Sequence, residues 1–417
     1  MKLGDEKFEI TTPRVGWSFV AAYAAAYAGM WMALLSPILV GLTLRARAID
    51  AEHAPADLSL VMGVGALIAL LGNPFFGHLS DRTTSRFGMR RPWLIGGALG
   101  GAAGLAIVAQ ATSVPQFLLG WCIAQLAYNA QLAALLAILP DQVPPPQRGM
   151  VSGIVGVSLP LGMVSGTLLV EALADSTLAM FMVPAAIAIV TAVGFAWMLP
   201  DRRLAPAQRS RYDLREFLAS FWLDPRRFPD FGWAWTSRFL MFAGVAVLLT
   251  YQGFYLIEQL GYAPDEVPHL VFLSTLVQSG AAMVFGVAGG WLSDAFGRRK
   301  AFVAGAALIY ALALLVIAFA PSFAWFLLGM ALSGAGQGMF LAVNLALATE
   351  VLPDRGNHAA RNLGILNIAT VLPQSLMPAI GPGILLASGG SYTALFVIAA
   401  ALATLGAWAI RPVRLVR

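Results

Sequence analysis

The chain has 417 residues, of which 59% are hydrophobic and only 11% charged, with a mean hydropathy of +0.76. That composition excludes a soluble globular domain of this length. The net charge of +5 reflects how Lys and Arg sort about a membrane rather than a nucleic-acid surface, and the single cysteine, Cys122, excludes an intramolecular disulfide.

Divided at Gly, Pro and charge clusters, the sequence gives apolar runs of about 20 residues or more, enough to cross roughly 30 Å of hydrocarbon at about 1.5 Å per residue. There are twelve: 17–44, 57–80, 91–111, 114–139, 148–173, 177–199, 231–257, 266–292, 300–319, 322–349, 359–387 and 391–410. The expected architecture is an all-α membrane protein, twelve transmembrane helices in two pseudo-symmetric six-helix bundles. The bundles are expected over 1–199 and 231–417, joined by a polar linker at 200–230.

In chain order, MKLGDEKFEITTPR lacks the apolar core and cleavage site of a secretory signal, so span 1 is expected to be retained and to start in the cytoplasm. Of 26 Lys and Arg residues, Arg45 and Arg47 fall outside and Arg238 falls within a span, which leaves 23 on the cytoplasmic side. The outer loops instead carry Asp50, Glu52, Asp57, Asp175, Asp265 and Glu266. Both termini are thus expected in the cytoplasm of a bacterial inner-membrane protein.

Span 1 presents Tyr23, Tyr27 and Trp31 at i, i+4 and i+8, one stripe of a helix, which serves either packing or the apolar face of a cargo. Span 2 ends in GHLSDRTTSRFGMRRP, where Asp81 can accept from backbone N–H groups of a neighbouring helix start and pair with Arg82, Arg86, Arg90 or Arg91. Such a cluster works as a latch made in one state and broken in another. The plainer alternative is that its cations enforce topology and bind lipid headgroups. Span 4 carries Gln125, Tyr128 and Asn129 near its centre, and closes on DQVP at Asp141. Within the linker, YDLREFLASFW reads as a short amphipathic helix at the interface.

Span 7 holds Gln252 and Arg238, the only basic residue well inside a span. Arg238 is either a contact for an anionic or hydroxylated cargo or for a titrating acid, or a side chain that snorkels to the interface. In TYQGFY, Gly253 between Tyr251 and Tyr255 weakens the helix where an outer gate would bend. Span 8 ends in GWLSDAFGRRK, a second hinge with Asp294, Arg298, Arg299 and Lys300, and span 10 sets Ser333, Gln337 and Asn344 on one face before EVLP at Glu350. Asp81 and Asp294, Arg148 and Arg361, and Pro160 and Pro373 are each 213 residues apart, the mark of a duplicated half.

The two hinges and twelve spans together resemble the major facilitator superfamily. SDRTTSRFGMRRP with LPDQVPPPQRG is further similar to the sucrose carriers and the glycoside-pentoside-hexuronide cation symporters, which share an SDR-x-TSRFG-x-RRP and an LPD-x-VP-x-x-QRG string. The resemblance implies a monomeric transport unit that alternates between inward-open and outward-open states, a cargo near the midplane walled by spans 1, 4, 7 and 10, and a sugar or glycoside as that cargo. Amide, hydroxyl and aromatic groups without acids suit a neutral polyhydroxylated ligand, because amides bond hydroxyls in both directions. The alternative for Gln125, Asn129 and Gln337 is glue between helices.

Coupling departs from the pattern. The carboxylate of proton-coupled sucrose carriers is replaced by Gln125, and no acid lies between Asp57 and Asp81, where melibiose-type symporters carry theirs. Glu171 and Glu258 at outer span ends either relay a coupling proton or sit at the interface, as His78 and His358 do, so uniport and symport both stay open. Organic-anion transport through Arg238, export of amphipathic compounds and a receptor role are the competing functions. No Gly-x4-Gly-Lys-Ser/Thr loop supports ATP-driven pumping, and no cofactor is implied.

Overall fold

The structure is a computed structural model that describes residues 14–201, 203–204, 226–350 and 359–414; the side chains at 145, 345–346, 348–350 and 359–364 are outside that description. The expected interfacial helix at 212–222, His358 and the side chains of Glu350 and Arg361 lie outside the described residues.

Twelve helices are long and apolar enough to cross a membrane. In the first bundle they are α1 (Trp17–Ile49), α2 (Ala54–Ser80), α3 (Arg91–Gln110), α4 (Val114–Gln142), α5 (Pro145–Ala172) and α6 (Thr177–Met198). In the second they are α7 (Pro229–Gln259), α8 (Val267–Phe296), α9 (Arg299–Ala318), α10 (Phe323–Glu350), α11 (Ala359–Ala387) and α12 (Tyr392–Ala409). Helices satisfy every backbone group internally, which hydrocarbon demands. The fold is the twelve-helix, two-bundle arrangement expected from the sequence.

Burial separates central from peripheral helices. In α1 and α7, 78% and 83% of the most apolar stretch is covered by protein, against 28% in α5. α1 packs on α5 and α6, and α7 on α11 and α12, while the bundles meet where α2 runs against α11 and α5 against α8. Small residues permit the close contacts within bundles: α3 lays Gly97, Gly101 and Gly104 on α4, and α10 lays Gly334 and Gly338 on the backbone of α8 at Gln278 and Ala282.

The halves repeat local details. Ser176 and Ser391 cap α6 and α12 through their side-chain oxygens, which accept from the N–H of Ala179 and Ala394. Pro160 and Pro373 sit inside α5 and α11. Each central helix contains one π turn, Pro37–Gly41 in α1 and Tyr255–Gln259 in α7. In α1 the cause is Pro37, which has no N–H for the α ladder.

Two expectations change. Span 1 continues to Ile49 rather than ending near 44, because Arg45 donates to the Ala111 carbonyl and Arg47 pairs with Glu258, so neither lies in a loop. The expected irregularity at Gly253 lies two residues later: α7 stays α-helical through Phe254 and then widens into the π turn at Tyr255.

Candidate functional site: two hinges and a polar seam

The α2–α3 hinge is built around one buried guanidinium. Arg90, 5% exposed, donates through Nη2 to Asp81 Oδ1 at 2.6 Å, through Nε to Asp141 Oδ2 at 3.0 Å and through Nη1 to Ser80 Oγ at 2.7 Å. Asp201, just beyond α6, accepts from the backbone N–H groups of Arg90 and Arg91 at 2.8 Å each, which satisfies two donors at the start of α3. Gly88 makes this possible: its φ is +106°, and a Cβ there would overlap the Asp201 carboxylate. Arg91 donates to the Leu199 carbonyl, and Arg86 lies 4.7 Å from the Phe87 ring centroid.

The α8–α9 hinge is simpler. Arg299 Nη2 meets Asp294 Oδ1 at 3.0 Å, with Asp294 67% exposed. Lys300 turns away to the carbonyls of Arg411 and Val413 behind α12.

At the far side, opposite the hinges, polar contacts join the bundles. Arg47 of α1 pairs with Glu258 of α7 at 2.9 Å, and Tyr392 donates to the other Glu258 oxygen at 2.8 Å. His269 of α8 meets Glu171 of α5 at 2.6 Å. Ser59 of α2 and the Tyr251 hydroxyl of α7 are 2.7 Å apart, and Gly253 packs on Thr43 of α1. Tyr255 stays within its own half, donating to the Ile317 carbonyl and stacking on Phe326.

Between hinges and far side runs a seam without carboxylates: among the described residues, every acid inside a helix lies within four residues of its end. Arg238 does not snorkel. Its Nε donates to Thr370 Oγ1 of α11 and its Nη1 to Asn344 Oδ1 of α10, both at 2.8 Å, with Phe242 5.4 Å beneath the guanidinium. Both hydrogen-bond partners are neutral. Asn344 Nδ2 and, two turns beyond Val245 on the same α7 face, Gln252 Nε2 are buried without a hydrogen-bond partner. An unmet buried donor costs about 1–3 kcal/mol. Gln337 is half-buried on the α10 face that carries Asn344.

On α4, Asn129 Nδ2 donates to the Gln125 carbonyl at 2.8 Å and to Gln125 Oε1 at 3.2 Å, the pair leaning on Gly65 and Gly72 of α2. Trp121, one turn before, buries an unpartnered Nε1 against Gly65. Tyr128 is fully buried on Gly101 of α3, a packing position. Tyr23 donates to the Leu135 carbonyl at 2.6 Å and sits with Tyr27 and Phe195 in the first bundle's core. Trp31 is half-buried beside Gly162 of α5.

The sequence profile of the Major Facilitator Superfamily matches residues 18–289 and 269–416. The chain belongs to the major facilitator superfamily. It is 31% identical over 158 residues to the multidrug resistance protein MdtL of Klebsiella pneumoniae (strain 342), a match over 36% of this chain and 38% of that protein's length. Its fold is shared by the nucleoside transporter NupG, with TM-score 0.75 and 14% identity over 94% of this chain and 98% of the other. A D-xylose-proton symporter gives 0.71 and 17% over 95% and 98%. An inward-facing, unoccupied bacterial homologue of the human lysosomal transporter Spinster gives 0.71 and 17% over 96% and 99%.

In this superfamily member several polar residues escape sequence reasoning. Ser80 and Asp201 complete the first hinge beside Asp141, Thr370 holds Arg238, and Gln278 of α8 donates to Ser333 Oγ at 3.1 Å. Asp141 was visible as the acid closing span 4. Asp201 lies 111 residues from Arg90, and nothing local signals the contact.

Proposed function

We propose that this multi-pass transporter moves a small polar solute, a sugar or glycoside, across a bacterial cytoplasmic membrane by alternating access, with both termini and both hinges on the cytoplasmic side. The observation that carries this reading is the set of mid-span amides with no carboxylate among them: Gln125 and Asn129 on α4, Gln252 on α7, Gln337 and Asn344 on α10. Two of these keep a buried donor unmet, so a cargo rich in oxygen acceptors would supply the missing bonds. A nucleoside transporter and a D-xylose symporter sharing the fold accord with a hydroxyl-bearing cargo.

Arg90 with Asp81, and Arg299 with Asp294, serve in this reading as latches on the hinge side. Tyr251, Gly253 and the Arg47–Glu258 pair serve in this reading as the far-side gate. A second reading has its own observation: Arg238 is a cation whose two hydrogen-bond partners are neutral, which fits an organic anion as cargo. Export of cationic amphiphiles, which a partial match to a multidrug resistance protein would suggest, is disfavoured because no acid stands mid-span to meet the charge.

Counterflow into proteoliposomes loaded with sugars, nucleosides, carboxylates or lipophilic cations tests the reading. Exchange of a neutral hydroxylated solute supports it, exchange of carboxylates alone selects the Arg238 reading, and exchange of lipophilic cations alone overturns both. With Gln125 in place of a titrating acid, an imposed proton gradient should leave the cargo equilibrated; accumulation that collapses with an uncoupler would point to Glu171 or Glu258.

A further inference from the structure

Asp201 meets the start of α3 as an acid, whereas the segment after α12 brings Arg411 and Arg414 beside the start of α9. Around it lies an open groove of about 570 Å³ lined by Arg298, Lys300, Ala301, Arg411, Pro412, Val413 and Arg414. Four of these seven carry positive charge and none is an acid.

Asp294 pairs with Arg299, and Asp230 accepts from the backbone N–H of Arg414 at 3.0 Å, which leaves the Arg414 side chain to the groove. Lys300 is fixed on the Arg411 and Val413 carbonyls, and Arg411 lies 4.0 Å from the ring centroid of Trp408, which is 56% exposed. Arg298 and Arg414 are exposed. The groove opens at the ends of two spans, beside outward-facing Trp408 and Phe296, at the depth where aromatic rings and headgroups meet.

We propose that this groove, with four cations in its lining, binds the phosphate of an anionic phospholipid. The cations hold the phosphate, and Trp408 and Phe296 flank the glycerol and upper acyl region. A phospholipid, rather than free phosphate, is the occupant because the groove lies at span ends, where Arg411 covers the exposed ring of Trp408.

The test uses full-length protein purified in detergent and stripped of lipid, with native mass spectrometry reading retained phosphatidylglycerol against phosphatidylcholine. The wild type should retain phosphatidylglycerol preferentially. Arg298→Gln and Arg414→Gln, exposed substitutions that leave the packed helices untouched, should each weaken retention about fivefold. Arg86→Gln, an equally exposed cation of the first hinge, should leave it unchanged. Equal loss in Arg86→Gln would reduce the effect to general positive charge and overturn the proposal. So would full retention in the Arg298→Gln, Arg414→Gln double variant. Inorganic phosphate competing as well as short-chain phosphatidylglycerol would assign the groove to a free anion and overturn the lipid as occupant.

Discussion

The two hinges descend from one duplicated motif and are built to different strengths. At the first, Arg90 is buried and ties Ser80, Asp81 and Asp141 together, while Asp201 reaches in from beyond α6 to hold the start of α3. At the second, Arg299 pairs with an Asp294 that is 67% exposed. A buried, multiply bonded cation resists exchange with water, whereas an exposed pair in high dielectric contributes little. The first hinge is therefore the more deeply buried and more heavily bonded of the two, a difference the motif alone conceals.

The largest effect should come from Arg90→Ala, which strips three groups of their donor. The acids are 58% and 41% exposed, so the cost is discounted to about 2–3 kcal/mol, seen as a lower midpoint in thermal unfolding. Gly88→Ala comes next, at about 1–3 kcal/mol, because a positive φ and the Asp201 carboxylate both oppose a Cβ. Asp201→Ala, which frees two backbone donors, should cost about 1–2 kcal/mol. Arg299→Ala should cost no more than about 0.5 kcal/mol. If Arg299→Ala proved as damaging as Arg90→Ala, the asymmetry would be broken.

At the far side, Glu258→Gln removes the charge that joins Arg47 across the bundles. Labels placed on α1 and α7 near that end should show a larger fraction of long distances by electron spin resonance than the wild type, and an unchanged distribution would remove Glu258 from the gate.

The smallest effect belongs to the turn between α1 and α2. Backbone and side-chain hydrogen bonds from His53 hold the Asp50 carboxyl below its ordinary range, and Asp50 in return raises the His53 imidazole. The raised histidine contributes fully below its ordinary pKa and loses its contribution as pH rises through the raised value. The lowered carboxylate contributes above its ordinary pKa and loses it as pH falls through the lowered value. Amide exchange at 51–54 should therefore be slowest between those limits, and Asp50→Asn should flatten the profile.

Spans, duplication and hinge motifs were legible in the sequence because each is a local pattern: apolar length, a repeated string, a fixed offset. Long-range partners were not. Asp201 lies among linker charges that look like topology signals, and Thr370 is one hydroxyl among many. Polarity draws attention to Arg238, Gln125 and Asn344, yet the aromatic stripe of Tyr23 and Tyr27 reads the same whether it faces a cavity or, as here, Phe195 in the bundle core. The π turn after Gly253 could not be read from a glycine two residues earlier.

The most direct test of the central claim, that an acceptor-rich polar cargo sits in the amide seam, is a thermal-shift screen of the purified transporter against sugars, glycosides, carboxylates and lipophilic cations, repeated with Gln337→Ala and Asn344→Ala. A ligand at 100 times its dissociation constant stabilises by about 2.7 kcal/mol, and loss of one buried hydrogen bond to it should weaken affinity by roughly tenfold. The account predicts that a sugar, glycoside or carboxylate raises the unfolding temperature of the wild type, with the shift reduced in both variants. Stabilisation by lipophilic cations alone, or a shift that survives unchanged in both variants, would contradict it.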